Sequence, residues 1–247
     1  MIGFSERPAV FGRARHLIGT ECRPTAGAAS PDVPAVLFVN AGTVHRVGPH
    51  RIYVTLARAL AEVGVPSLRF DLSGVGDSRV PEQDVGTRLE GVRADLHESV
   101  GFLQQRMGAA GVLGFGLCSG ADHAFDLALE DDRVVGAVLL DTNVHVTRGY
   151  RRRRLRAAAG RASTWGAVLT GRHPSIRGLA ARVLGHTPEE PEVVRPGLVA
   201  TELPDRETRG GQIRALLERG VALHYIFTGG VLERFNGPGQ LAEAYPE

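Results

Sequence analysis

The sequence predicts an α/β domain built on a mostly parallel sheet flanked by helices, and three observations carry that prediction. Ala35–Val39 is a continuous apolar run and so reads as a strand buried on both faces, residues 66–70 read as a second buried strand, and Val134–Leu140 (VVGAVLL) is another apolar β run. Helix-period stretches separate these runs, and strand, helix, strand order of this kind closes into a parallel sheet through right-handed crossovers. Third, GFGLCSG at residues 114–120 joins an apolar strand run to the helix-like ADHAFDLALE with no loop between, a turn that only small flanking residues allow.

Taken in order, residues 6–24 hold two short apolar stretches around Gly-Arg-Ala-Arg, the pattern of an antiparallel hairpin at a sheet edge. TAGAASPDVP after it is a loop by composition. The Ala35–Val39 strand ends at Asn40-Ala41-Gly42; residues 51–63 have apolar positions at helical spacing, with Gly64 as the stop. The strand at 66–70 runs into the glycine-rich turn FDLSGVGDS, where Asp71 and Asp77 are expected to hold backbone amides. A long helix is expected over 87–107, a strand over 111–116, the helix after Cys118, and then VVGAVLL with Asp141 at its end. Residues 209–219 resume helical spacing, 222–228 (ALHYIFT) read as a strand, and 240–245 as a helix. Ligands of such sheets bind at the carboxyl ends of the strands, the edge to which Gly42, Asp71, Cys118 and Asp141 all belong.

At 247 residues and 43% hydrophobic composition, the chain is long enough for one large core plus an insertion, and no apolar run approaches a membrane span. The formal net charge of +2 conceals an uneven distribution: no Asp or Glu lies between Thr142 and Pro188, whereas ten arginines do. The alternation of elements stops there, and two or three short basic helices are expected as a lid or cap. The expected division is thus a core of residues 1–144 and 207–247, with an Arg-rich cap at 145–206. Cys22 and Cys118, the only cysteines, stand too far apart in sequence to suggest a disulfide framework. With no signal-peptide pattern at the N-terminus, the expected location is cytoplasmic.

The blocks VNAGTVHRVGPHRIYVTLARALAEVG, LRFDLSGVGDS, GFGLCSGAD and IFTGGVLERFN, spread over residues 39–236, together resemble the α/β-hydrolase superfamily. Within it the resemblance is to the serine-aminopeptidase-like or exosortase-associated hydrolase group. GFGLCSG then stands where that fold has its nucleophile elbow, Gly-x-nucleophile-x-Gly, with Cys118 in place of serine. Ser119 is the neighbouring alternative, but it would put Leu117 and Ala121 at the glycine positions. The plain reading of Cys118 is a small buried residue. As a nucleophile it attacks as the thiolate, and a helix N-terminus directly behind it favours negative charge on the sulfur.

The resemblance implies further roles. Oxyanion donors fall to the N–H groups of Ser119 and of Gly42 or Thr43. The acid is Glu233, after ALHYIFTGG, or Asp141. The superfamily places its histidine after one further strand, and no histidine follows His224, so that last strand and its base are expected to be missing. A shortened chain, a base from elsewhere, or lost hydrolytic activity each account for this. His45 and His145 are the internal candidates, whereas His123 is expected to point away from the thiol. Arg46, Arg151 and Arg152 are candidate substrate contacts, because a positive field over a pocket attracts anions and the guanidinium fork suits phosphate. A solvated helical face explains the Arg151 to Arg154 run equally well.

The expectation is a hydrolase or acyltransferase, a thioesterase among the possibilities, acting on an ester or thioester acyl group. Coenzyme A or a carrier protein is a possible partner. No cofactor, metal, nucleic acid or membrane is expected; few aromatics accompany the arginines. The alternatives are an inactive binding protein of the same fold, or a non-hydrolytic cyclase or lyase.

Overall fold

A computed structural model describes residues 3–25, 33–82, 86–160, 203–229 and 234–246. Seven strands form one sheet in the order β1-β2-β4-β3-β5-β6-β7. They are β1 Phe4–Phe11, β2 Leu17–Pro24, β3 Ala35–Val39, β4 Ser67–Phe70, β5 Val112–Leu117, β6 Val134–Leu140 and β7 Ala222–Ile226. The expected hairpin pairs β1 with β2 antiparallel from Phe4 opposite Pro24 to Phe11 opposite Leu17, and Gly12 with φ 84° makes its turn. β2 pairs antiparallel with β4, and every pairing from β4 through β3, β5 and β6 to β7 is parallel.

Why β3 is apolar throughout is visible in its packing. Ala35, Leu37 and Val39 enter a core on one face that includes Leu68, Phe70, Leu96, Val100 and Leu127, while Val36 and Phe38 pack on the other with Cys22, Tyr53 and Ala57. The helices are α1 Ile52–Glu62, α2 Arg88–Met107, α3 Ser119–Glu130, α4 Arg148–Ala159, α5 Arg206–Glu218 and α6 Gln240–Ala244. Thr87 and Glu90 close a capping box at the start of α2, and Gly108 with φ 66° ends it, so this helix sits one residue inside the expected span. β7 is shorter than expected because Thr228 is drawn aside to Asp141, its N–H donating to the carboxylate at 2.7 Å and its hydroxyl at 2.6 Å. α5 begins earlier than expected, where Asp205 accepts the Thr208 N–H at 3.0 Å. Strand order and crossovers are those of an α/β-hydrolase fold.

The chain divides into two compact units, residues 1–143 with 197–231 and 247, and residues 144–196 with 232–246. The sequence-based boundaries, by contrast, put the C-terminal segment with the sheet. Within the second unit, Arg153 donates to Glu243 at 2.6 Å, Thr147 to Glu243 at 2.5 Å, and Asn236 Nδ2 to the Tyr150 carbonyl at 3.0 Å. Residues 148–159 of the Arg-rich segment form the basic helix α4, and its Arg153 has an acidic partner from outside that segment. The rest of that segment, 161–202, lies outside the described residues. Among the described residues no helix is long and apolar enough to cross a membrane.

Candidate active site

β5 ends at Leu117, and the chain reverses direction at Cys118 with φ 55° and ψ −121°. That is the first central position of a type II′ turn, ordinarily glycine, and holding a side chain there costs about 1–3 kcal/mol. The strain persists because the surroundings fix both peptide groups: Cys118 N–H donates to the Leu140 carbonyl at 2.8 Å, and its own carbonyl accepts the Ala121 N–H at 3.0 Å. The sulfur side is left exposed.

The two flanking glycines have steric reasons to be glycine. A Cβ on Gly116 would collide with the Gly120 carbonyl, and one on Gly120 would lie 2.5 Å from the Asn40 carbonyl oxygen and 2.7 Å from that of Val39. The absence of side chains therefore lets α3 start directly against the ends of β5 and β3. Ser119, the first residue of α3, is buried, and its N–H is one of the amides that a helix leaves without an intrahelical partner. Its hydroxyl accepts the Gly42 N–H at 2.8 Å. Of the three expected oxyanion donors, Gly42 N–H is thus engaged by a neighbouring side chain, a bond between residues 77 apart that no sequence pattern marks.

Asn40 and Tyr53 were not singled out by sequence and prove to shape this loop. Buried Asn40 donates from Nδ2 to the Val44 carbonyl at 2.8 Å and accepts the Leu72 N–H at 3.1 Å, tying the ends of β3 and β4 together. Tyr53 on α1 donates to the Val39 carbonyl at 2.9 Å, and burial pushes its phenol well above the ordinary range. An asparagine ending an all-apolar strand is the signal that would have found the first of these.

The candidate base His45 sits in an ionic cluster. Its Nε2 lies 2.8 Å from Arg46 Nη1, 3.3 Å from Asp71 and 3.6 Å from Asp77. A guanidinium only donates, so His45 Nε2 is the acceptor in that bond. Arg46 Nη1 also bonds fully buried Asp71 and lies 2.8 Å from Asp77, while the Arg46 N–H reaches Asp71 at 2.6 Å and the Asp77 N–H reaches it at 3.2 Å. Asp71 therefore holds backbone amides as expected, and the Arg46 hydrogen bond keeps the Asp77 carboxyl below its usual range. His45, Asp71 and Asp77 are metal-ligand types with donor atoms within 4.8 Å of one another, and the cation among them is the Arg46 guanidinium. Arg46 is thus tied to two carboxylates of its own chain.

Asp141 follows β6 at the same sheet edge, its carboxylate accepting from Thr228 as described. Glu233 lies outside the described residues. His145 belongs to the second unit, where its Nδ1 is 2.9 Å from the Tyr245 hydroxyl. Arg151 and Arg152 are exposed on α4. His123 is buried one turn beyond Ser119 on α3. Among the described residues no hydrogen bond or ion pair to the Cys118 sulfur is present. The edge as described combines an exposed thiol with backbone amides beside it, the parts needed to bind and attack a polarised carbonyl.

No family model matches the chain, and no curated protein matches its sequence. Solved structures do resemble it. A cold-adapted esterase from an Arctic intertidal metagenomic library aligns over 57% of this chain and 61% of its own at 20% identity, with a TM-score of 0.43. A Butyrivibrio proteoclasticus protein solved with ferulic acid bound aligns over 51% and 49% at 20% identity and TM-score 0.43. An esterase of Pyrococcus furiosus aligns over 91% and 81% at 14% identity and TM-score 0.48. This chain covers less than two thirds of the length of the first two.

Proposed function

We propose that the protein hydrolyses or transfers an ester or thioester acyl group through Cys118. The observation that carries this reading is the backbone of Cys118 itself: a strained φ of 55° at an exposed thiol, kept in place by two glycines that admit no side chain. In the proposed first step the thiolate attacks the carbonyl carbon and the tetrahedral oxyanion accepts from the Ser119 N–H and from the amide of Gly42 or Thr43. The carbon to leaving-group bond then breaks, the alcohol or thiol departs with a proton, and an acyl-cysteine remains. Water or an acyl acceptor attacks that thioester, and the sulfur leaves as thiolate. His45 and His145 are the proposed proton carriers, with Glu233 or Asp141 as the acid. Arg151 and Arg152, exposed on α4, are proposed contacts for an anionic substrate such as a coenzyme A or carrier-protein thioester.

An electrophilic acyl probe followed by intact-mass spectrometry should show one adduct, lost in Cys118→Ala. Turnover of acyl esters and thioesters should vanish in the same variant. Activity unchanged in both Cys118→Ala and Cys118→Ser sinks the covalent mechanism. Replacing His45 and His145 singly by Ala assigns the base, whose loss should lower kcat/KM by about 100- to 10,000-fold.

One observation favours a second reading, an acyl-binding protein of the same fold without turnover: the Gly42 N–H is already satisfied by Ser119. Any Cys118-dependent turnover rules it out.

A further inference from the structure

A cleft of about 270 Å³ lies within the first unit, and neither the sequence nor the chemistry of Cys118 accounts for it. Its lining is mixed, with Ser73, Thr87 and Arg88 among its polar members. Leu72, Val75, Val80 and Val92 are aliphatic, coming from the turn after β4 and from the first turns of α2; Gly42 and Ser119 are the pair whose amides serve as oxyanion donors in the proposed reaction. Gly74 and Gly91 also line it, so stretches of its wall carry no side chain and the space stays open. His123, one turn beyond Ser119 on the same helix, adds a buried polar group.

We propose that this cleft receives a linear aliphatic acyl chain of short to medium length. Ser119, whose amide is a donor in the proposed reaction, lines the cleft, so a carbonyl bound there lies beside it, and the aliphatic part of the lining rewards removal of methylenes from water, at about 0.8 kcal/mol for each one buried. The volume limits the length: 270 Å³ falls just below the range of about 300–1,000 Å³ usual for ligand pockets. It is on the order of nine times a water molecule's share of the liquid. A butanoyl to octanoyl group fits that space, and a palmitoyl group exceeds it. The proposal rests on the acyl-transfer reading for its link to catalysis but not for the binding of the chain.

The test uses octanoate as the probe and Cys118→Ala as the host, so that binding is read without turnover. Titration calorimetry should detect octanoate, and Val80→Trp in that host should weaken it at least tenfold. Val80 is 58% exposed, so an indole there narrows the cleft with little risk to folding, which circular dichroism verifies. With Cys118 restored, the ratio of kcat/KM for octanoyl over acetyl p-nitrophenyl ester should fall at least tenfold in Val80→Trp. Val75→Ala, which widens the same space, should move the preferred chain to greater length. Octanoate binding and chain-length preference both indifferent to positions 75 and 80 overturn the proposal while leaving Cys118 chemistry standing. Binding blocked by Val80→Trp, with no ester turned over, keeps the cleft and removes the acyl-transfer reading instead.

Discussion

Cys118 and Asp71 stand just beyond the carboxyl ends of β5 and β4, on either side of β3, and they are fixed in opposite ways. At Cys118 the backbone is confined by the absence of side chains at Gly116 and Gly120, and the thiol is left exposed. At Asp71 the chain is held by its side chain, which accepts from the Arg46 guanidinium and from the backbone amides of Arg46 and Asp77. The thiol is therefore left exposed where close packing and backbone hydrogen bonds hold the chain, whereas the Asp71 carboxylate is taken up by the bonds that hold it.

The strongest way to break this contrast is to give the elbow a side chain. Gly116→Ala should cost more than about 4 kcal/mol or abolish cooperative folding in a urea titration, since the added methyl meets the Gly120 carbonyl. Next in size is Asp71→Ala, which removes a fully buried carboxylate and leaves Arg46, itself only 16% exposed, with exposed Asp77 as its carboxylate partner. A loss of about 3 kcal/mol is expected. Cys118→Gly works in the other direction: relief of the strained φ should outweigh the extra freedom of the unfolded chain and raise stability by about 1 kcal/mol, with Cys118→Ala near neutral.

The smallest effect sharpens the role of structural carboxylates away from the strand ends. Burial of Asp131 opposes its ionisation, but hydrogen bonds from Arg133 and His97 outweigh this and hold its pKa at about 2, below the 3.8 of an unperturbed carboxyl. A carboxyl depressed in the folded state stabilises it above the unfolded value and loses that contribution as pH falls, here between about pH 4 and pH 2. With screening around the partly exposed Arg133 and His97, the loss should be about 1 kcal/mol, and Asp131→Asn should flatten that part of the stability curve.

The sheet was legible because its central strands are apolar runs: Ala35–Val39 is buried throughout, and Val134–Leu140 was readable from its apolar residues although Val135 is 42% exposed. The elbow was legible for a similar reason, its glycines being demanded by local closure. Long-range polar pairings were not legible. Nothing in the spacing of Gly42 and Ser119, or of Asp141 and Thr228, announces a bond across 77 or 87 residues. His45 reads as a candidate base because it follows a strand at this edge, and the fold sets its Nε2 to accept from Arg46, which in turn bonds Asp71. The spacing of Glu243 from Thr147 and Arg153 likewise does not announce the bonds that join the C-terminal helix to α4.

The contact between Gly120 and the Asn40 carbonyl has a mechanical consequence. With no side chain between them, the start of the elbow helix and the end of β3 abut directly, and the Ser119 to Gly42 bond fastens the same junction a second time. The thiol and the amides beside it are therefore parts of one rigid block, with no hinge between them. In the proposed reaction, the spacing of the thiol and the Ser119 amide is set by the packing of this junction.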